Sequence, residues 1–175
     1  MRERARLMPT QELDLDWQGD APAEWPPNVQ AVRRKPSPAS AALGLRVEAV
    51  SRREGRVRLC FAAGESLCNK WGAIQGGMVA AMLDDAMALA IGLNLDWGQI
   101  SPTLELKVSM LAPARPGKIY GHGWVVRRGR SIGFVAGALT DAQGTMLATG
   151  SSTASFVTLQ RPSAKETKSQ SASRA

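Results

Sequence analysis

The chain has few of the residues that bind metals or form disulfides. Its 175 residues include two cysteines and one histidine. Cys60 and Cys68 stand eight positions apart, with no second cysteine pair and no histidine near them. Structural zinc sites need several closely spaced Cys or His ligands, so the composition excludes a zinc pattern and predicts no metal. We expect both cysteines to be reduced thiols in or near the core.

Aromatic residues and long apolar stretches are also scarce. Aromatics make up 5% of the chain, and the basic residues form no stripe with aromatics between them. Because such a stripe is the usual footprint of nucleic-acid binding, we expect no nucleic-acid partner. The longest apolar run, residues 86–93, is shorter than the roughly 20 residues that span a bilayer. The N-terminus lacks the apolar segment of a signal peptide, so the sequence predicts a cytoplasmic protein without a membrane partner.

Proline content, charge and low complexity divide the chain into three parts. Residues 1–40 contain six prolines and little periodicity, which predicts an extended N-terminal arm. Residues 161–175 are mostly small, polar or charged and are expected to form a disordered tail. Residues 41–160 predict one domain, with twelve basic and eight acidic residues. The resulting net charge of +4 favours an anionic ligand such as a phosphate-bearing cofactor.

The central range predicts one long helix against an antiparallel sheet. Alternating apolar and polar residues separated by turn residues predict strands, and a continuous apolar segment predicts the helix. The predicted strands cover residues 45–51, 56–62, 103–111, 118–126, 131–140 and 145–157, and the helix covers 77–93. A helix packed on a meandering sheet makes α+β the predicted fold class.

The predicted helix has no polar face, yet it carries two acids. At about 100° per residue, Asp85 falls within an apolar stripe and Asp84 falls on the opposite side. The stripe comprises Met78, Met82, Leu89 and Leu93, and the opposite side comprises Gly77, Ala80, Ala88 and Ile91. A helix of this kind is normally buried, and a buried carboxylate is costly enough to require a partner or a function. Both acids are therefore candidate functional residues.

Two glycines at the start of this helix suggest chemistry at a carbonyl group. The first amides of a helix have no acceptor within it and carry partial positive charge, which suits a developing oxyanion. Glycine at 76 and 77 lets a ligand approach the backbone closely, although a tight turn without a ligand is the alternative. Asp84 would then act as a general base on water, unless it is a buried acid that caps a neighbouring backbone group.

The only histidine, His122, offers little support for a second catalytic centre. It lies on a predicted strand within the sequence Tyr-Gly-His-Gly-Trp. No Ser or Cys motif stands near it, and the chain has no serine nucleophile elbow. We therefore interpret His122 as a structural residue of the sheet.

Several motifs occur in an order that characterises one protein family. Their order is Asn69, Gln75-Gly76-Gly77, Asp84, Thr103 at the start of a strand, Pro113-Ala114 at its end, the turn Arg127-Arg128-Gly129-Arg130, and a turn from Asp141 to Gly144. With these motifs, residues 41–158 resemble the PaaI-like acyl-CoA thioesterases, a family with the hotdog fold. The family pattern has an Asn, a His-Gly-Gly six residues later, and an acid nine residues beyond the His.

The resemblance implies a long central helix wrapped by an antiparallel sheet, and a homodimer or a dimer of dimers with active sites across the interface. It implies that Asp84 is the general base or nucleophile acting on an acyl-CoA thioester, and that the Gly76 amide polarises the carbonyl group. Asn69 and Thr103 would orient the carboxylate or a water molecule. The turn residues Arg127, Arg128, Gly129 and Arg130 would bind the phosphates of coenzyme A. No cofactor is implied beyond the coenzyme A of the substrate.

Three alternatives remain open at this point. Gln75 stands where the family has His, and its amide can donate and accept hydrogen bonds but cannot transfer a proton. This difference motivates a second hypothesis, a non-catalytic module that binds acyl-CoA as a sensor or carrier. Asp85 competes with Asp84 for the catalytic role, although the family spacing favours Asp84. The arginine turn, residues 127–130, has a solvated hairpin tip as its alternative reading.

Overall fold

The computed structural model describes residues 17–96 and 98–159. The predicted tail at 161–175 and residues 1–16 of the predicted arm lie outside the described residues. The helices are α1 (Pro27–Arg34), α2 (Pro38–Ala42) and α3 (Gly76–Gly92). The strands are β1 (Leu45–Ser51), β2 (Arg56–Ala63), β3 (Gln99–Ile100), β4 (Thr103–Met110), β5 (Gly117–Arg128), β6 (Ile132–Asp141), β7 (Met146–Ser155) and β8 (Val157–Thr158).

Six strands form one antiparallel sheet, and α3 packs against its inner face. The strand order is β1-β2-β5-β6-β7-β4, which places β1 and β4 at the two edges. Helix α3 contacts β2, β4, β5, β6 and β7, so the sheet curves around it. The α+β class and the central helix predicted from the sequence are confirmed.

A row of three glycines lies beneath α3. Gly123, Gly137 and Gly150 stand directly opposite one another on β5, β6 and β7. A Cβ on Gly137 would lie 3.0 Å from Met87 Cγ, and one on Gly150 would lie 3.3 Å from Met87 Cε and 3.4 Å from Leu83 Cδ1. Met87 and Leu83 are fully buried. The missing side chains therefore form a groove into which these two helix residues pack.

The helix backbone comes closest to the sheet at Gly123. A Cβ at this position would overlap the carbonyl group of Ala86. Only glycine lets β5 and α3 pack at this distance. Because side chains alternate between the faces of a strand, the glycines on either side of His122 face the helix while His122 itself faces outward.

The N-terminal arm contains helices where the prolines predicted an extended segment. Pro27 and Pro38 each occupy the first turn of a helix, α1 and α2 respectively. Proline suits this position because its fixed φ is helical and its missing N–H would have had no acceptor there. Ser37 caps α2, its Oγ accepting from Ser40 N at 3.1 Å. The prolines therefore start these helices and do not prevent them.

The described part of the arm packs along one side of α3. Trp25 and Val29 are buried in the core. Asn28 Nδ2 donates to the carbonyl oxygen of Gly92 at 2.7 Å. This carbonyl group at the C-terminal end of α3 would have no hydrogen-bond donor within the helix. Asp20 Oδ2 accepts from Arg52 N at 2.7 Å and ties the arm to the end of β1.

The last predicted strand, residues 145–157, divides at Phe156. Strand β7 ends at Ser155, and Phe156 N donates to the Ser131 carbonyl oxygen at 2.9 Å. Beyond this point β8 leaves the main sheet and pairs with β3. Neither short strand is apparent from sequence periodicity, because each spans two residues.

Candidate active site

The N-terminus of α3 is exposed at the surface of the single subunit. The Gln75 carbonyl oxygen accepts from Met78 N at 2.8 Å and from Val79 N at 3.1 Å, while the exposed Gln75 side chain makes no cap. The amides of Gly76 and Gly77 precede these donors, so no acceptor within the helix is available to them. A Cβ on Gly77 would meet no described atom within 4 Å. Both glycine amides are accessible to a ligand.

Asp84 lies on the same open side of the helix. It follows Gly77 by seven residues, about two helical turns. Thr103 Oγ1 donates to Asp84 Oδ1 at 2.9 Å. Because Thr103 begins the edge strand β4 and is exposed, the pair lies at the rim of the sheet. The structure thus brings together two of the site residues proposed from the sequence.

Asn69 shapes the loop that leads to the glycines. Its side-chain Oδ1 accepts from Trp71 N at 2.9 Å and from Ala73 N at 3.3 Å. Its backbone N–H donates to the Ala73 carbonyl oxygen at 2.7 Å. No hydrogen bond joins Asn69 to Asp84 among the described residues. Asn69 therefore contacts its own loop and not Asp84, the carboxylate that it was predicted to orient.

Asp85 lies on the covered side of α3, beneath the arm. Ser40 Oγ donates to Asp85 Oδ1 at 3.0 Å, and Ser40 itself is buried. Asp85 Oδ2 is buried with no hydrogen-bond partner among the described residues. Burial raises the pKa of Asp85 to about 6; the Ser40 hydrogen bond opposes this rise and the charge of Asp84 adds to it. The neighbouring acids therefore contact different parts of the chain, Asp84 the edge strand and Asp85 the arm.

The arginine turn lies at the other end of α3. Arg128 Nη1 donates to the Asn94 carbonyl oxygen at 2.6 Å, and its guanidinium lies 4.7 Å from the centroid of the Phe156 ring. Arg127 and Arg130 are exposed. Since α3 has 17 residues, about 25 Å separates this turn from Gly76. One subunit therefore does not bring the arginines and the glycines together.

The boundaries of this turn also differ from the prediction. Arg127 and Arg128 belong to β5, and Gly129 N donates to the Ile132 carbonyl oxygen at 2.8 Å to close the turn. A bulge between Val125 and Arg127 accommodates the longer strand.

His122 is buried on the outer face of the sheet, directly opposite Arg58 on β2. Its Nδ1 has no hydrogen-bond partner among the residues described. Burial, with a smaller contribution from the charges of Arg58 and Arg56, lowers the pKa of His122 to about 4. The imidazole is therefore neutral at pH 7. It lies across the sheet from α3, which agrees with a structural role.

Within residues 17–96 and 98–159, no group of three or more His, Cys, Asp or Glu side chains is arranged to hold a metal ion. Cys60 is buried, Cys68 is partly buried, and both thiols are free. In the same ranges, no helix has the length and apolar character needed to cross a membrane.

Ser40 is the residue of this region that sequence reasoning missed. The sequence Ser37-Pro38-Ala39-Ser40 does carry a signal, because Ser followed by Pro is typical of a helix start. That signal places Ser40 in the first turn of α2. Its hydrogen-bond partner, Asp85, lies 45 residues further along the chain, and this contact depends on how the arm folds back over α3.

The chain is similar to thioesterases in sequence and structure. The family model of the thioesterase superfamily matches residues 72–148. A phenylacetic acid degradation-related protein from Ralstonia eutropha is 32% identical, with a TM-score of 0.68, over 73% of this chain and 98% of that chain. Comparison with curated proteins gives no significant match.

Two more distant structures share the fold. A thioesterase from Haemophilus influenzae is 20% identical over 77% of this chain and 94% of that chain, with a TM-score of 0.69. The PaaI protein of the phenylacetic acid degradation operon of Escherichia coli is 18% identical over 74% of this chain and 91% of that chain, with a TM-score of 0.67. The architecture predicted from the resemblance is confirmed, and the chain belongs to the thioesterase superfamily as a PaaI-like member with the hotdog fold.

Proposed function

We propose that the protein hydrolyses acyl-CoA thioesters to the free acid and coenzyme A, with Asp84 as general base or nucleophile. The observation that carries this proposal is the Thr103–Asp84 hydrogen bond of 2.9 Å on the open side of α3. It holds a carboxylate on the same side of the helix as Gly77, which like Gly76 is exposed. Family membership supports thioester hydrolysis as the class of reaction.

In the general-base route, Asp84 takes a proton from a water molecule whose oxygen attacks the thioester carbonyl carbon. Thr103 occupies Oδ1, so Oδ2 is the oxygen that receives the proton. The negative charge that develops on the carbonyl oxygen is stabilised by the Gly76 amide at the helix N-terminus. Collapse of the tetrahedral intermediate breaks the carbon–sulfur bond and releases the thiol, which takes up the proton held by Asp84.

One subunit cannot supply both groups to the same carbonyl. Gly76 and Asp84 are eight residues apart, about 12 Å along the helix axis. A second copy of the chain, related by a two-fold axis with its helix antiparallel, would place its Gly76 beside Asp84. Exposed apolar residues in the first turn of α3 and on the edge strand β4, namely Met78, Leu104 and Met110, support such an interface. We infer a homodimer or a dimer of dimers with the active site shared between copies.

Gln75 fits this scheme as a hydrogen-bond donor. Its exposed side chain stands beside the glycine amides and can donate to the carbonyl oxygen, while proton transfer belongs to Asp84. Asn69 holds the loop that positions these donors.

The coenzyme A phosphates fit the arginine turn in this proposal. Arg127 and Arg130 carry the charges for the phosphates, because Arg128 already binds the Asn94 carbonyl group and Gly129 only closes the turn. A coenzyme A substrate also agrees with the cytoplasmic location predicted from the sequence.

The first experiment is a hydrolysis assay on a panel of acyl-CoAs with short, long and aromatic acyl groups, followed by release of free thiol. We expect turnover of at least one substrate, and a loss on the order of 10²- to 10⁴-fold in Asp84→Asn. Acyl-CoA binding without turnover of any substrate would favour the sensor or carrier module that Gln75 motivates. Loss of activity in Asp85→Asn but not in Asp84→Asn would transfer the catalytic role to Asp85.

A second experiment tests whether two copies share the site. Gly76→Pro removes the amide donor at the first position of α3, where proline is favoured, and Gln75 with ψ 135° has the conformation that precedes proline. We expect a loss on the order of 10²- to 10³-fold. Mixing Gly76→Pro with Asp84→Asn under conditions that exchange subunits should restore activity, because one site of each mixed dimer is then intact. Failure to restore it, with exchange demonstrated, contradicts a shared site.

A further inference from the structure

Asp85 is held by the arm through a directional chain of two serines. The Ser40 hydroxyl has a single proton, which it donates to Asp85 Oδ1 at 3.0 Å. Ser37 Oγ lies 2.9 Å from Ser40 Oγ and must therefore be the donor of that pair. Ser37 in turn caps α2, accepting from Ser40 N. The two serines thus link the N-terminus of α2 to the Asp85 carboxylate of α3 by hydrogen bonds.

Few charges surround this carboxylate. Helix α2, which covers it, contains no titratable residue. Helix α1 ends in Arg33 and Arg34, which are exposed, and Arg33 is stacked on Trp25 at 5.4 Å from the ring centroid. On α3 itself the neighbouring charge is Asp84. No ion pair to Asp85 occurs in the part of the chain that the structure describes.

The two acids act on each other because they are adjacent on one helix. Neighbouring helix residues point about 100° apart, so one carboxylate reaches the open side while the other stays under the arm. When Asp85 ionises, a negative charge appears next to the carboxylate that is proposed to act as the base, and this charge changes the electrostatic field in which that carboxylate works. While Asp85 is neutral, this additional charge is absent.

We propose that Asp85 is a positioning residue for the reaction at Asp84, and that the arm, through Ser40, sets the pH range in which the site works. The proposal rests on the proposed function, in which Asp84 is the base. Burial of Asp85 Oδ2 without a partner favours the neutral acid, and Ser40 favours the ionised form. The balance between them fixes the pH at which the second charge appears beside Asp84.

The pH dependence of kcat/KM tests this directly. We expect the upper step of the wild-type profile to lie near pH 6, where Asp85 ionises. Asp85→Asn should remove this step. Ser40→Ala should move the upper step to higher pH by about one unit, because the hydroxyl that favoured the ionised form is gone. Ser40→Thr, which keeps the hydroxyl, should restore the wild-type profile.

Ser109→Ala, on the exposed outer face of β4, is the matched control and should leave the pH profile unchanged. A merely structural role for Ser40 would lower kcat or stability without moving a step. Superimposable profiles for wild type and Asp85→Asn, or an upper step that does not move in Ser40→Ala, would overturn the proposal. If Asp85→Asn does not fold, the two Ser40 variants still decide it.

A measurement without substrate separates this proposal from the proposed function. Titration of the Asp85 side-chain carboxyl by ¹³C NMR reports its ionisation directly. If the wild type hydrolyses no acyl-CoA, the proposed function fails, whereas a carboxyl titration that moves to higher pH in Ser40→Ala still supports control by the arm. A titration that is unchanged in Ser40→Ala overturns that control, whatever the activity.

Discussion

The two sides of α3 differ in what covers them. One side packs Leu83 and Met87 into the glycine row of the sheet, and the arm closes over Asp85 beside it. The other side carries Gly77 and Asp84, and Asp84 contacts Thr103 at the start of β4. Both sides are apolar in composition, yet among the described residues Gly77 is exposed and Asp84 is only partly buried.

This difference explains why the helix has no polar face. A helix that is apolar all round needs burial on every side, and the sheet of one subunit supplies it on one side only. Under the proposed function, a second copy of the chain would cover the remaining surface. The same division separates the acids: Asp85 lies under the arm with its Oδ2 buried, while Asp84 lies at the rim of the sheet beside Thr103.

Replacing Gly123 by alanine is the most severe way to break the covered side. The new Cβ would overlap the Ala86 carbonyl group, so the helix has to move away from the sheet. We expect the free energy of unfolding to fall by about 3 kcal/mol, measured by urea unfolding. Gly77→Ala is the control on the open side and should stay within about 1 kcal/mol of wild type. Equal losses in both variants would contradict the division into two sides.

Two titratable groups, the partly buried Asp85 and the buried His122, allow the covered regions to be compared by pH. The pKa of Asp85 is raised from 3.8 to about 6 by burial, so the folded chain retains a proton and this residue costs stability as the pH rises through that range. The pKa of His122 is lowered from 6.5 to about 4 by burial, so stability is lost as the pH falls from 6.5 to 4.

Each of these two pKa shifts changes the free energy of unfolding by about 3 kcal/mol across its pH range, and in the wild type the two changes nearly cancel. Asp85→Asn should therefore give a free energy of unfolding that rises with pH relative to wild type. His122→Gln should give one that falls with pH relative to wild type. Chemical unfolding at a series of pH values measures both. If the two variants differ from wild type in the same direction, the environments assigned to these residues are wrong.

Thr103→Val tests the open side. Removing the hydroxyl deletes the hydrogen bond to Asp84, which contributes about 1.5 kcal/mol when the acceptor is charged, so kcat/KM should fall about tenfold. The free energy of unfolding should change little, because Thr103 is exposed. Thr103→Ser keeps the donor and should retain most of the activity. Similar losses in the Val and Ser variants would assign the effect to packing and not to the hydrogen bond.

Asn28→Ala is the mildest test of the covered side. It removes the hydrogen bond from the arm to the Gly92 carbonyl group, and we expect a loss of about 1 kcal/mol in the free energy of unfolding. Lys35→Ala, at an exposed position after α1, is the control and should change it by less than about 0.5 kcal/mol. A loss no larger than that of the control would show that the arm adds little at this end of α3.

Local patterns were sufficient to predict most of the fold. Alternation placed β1 at residues 45–51, as observed, and the strands around the helix within a few residues. The arm was different, because Pro27 and Pro38 were interpreted as breaking regular structure. Their effect depends on whether each begins a helix or lies inside one, and only the first position tolerates proline well.

The candidate site was predictable where it depends on spacing and not where it depends on distant contacts. Helical periodicity separated Asp84 from Asp85, and the motif order named Thr103. The bond from Ser40 to Asp85 joins residues 45 positions apart, and that from Arg128 to the Asn94 carbonyl group joins residues 34 positions apart. Such contacts follow from the path of the arm and from strand register, which single-sequence periodicity does not contain.

The glycine row also decides which acid lies beside the edge strand. Its groove accepts α3 with Leu83 and Met87 pointing inward. A rotation of the helix by one residue, about 100°, would bring Asp85 toward the position that Asp84 now holds. Two chemically identical side chains are thus distinguished by glycines on the facing strands. The glycine row therefore fixes the rotation of the helix about its own axis, and with it the direction in which each acid points.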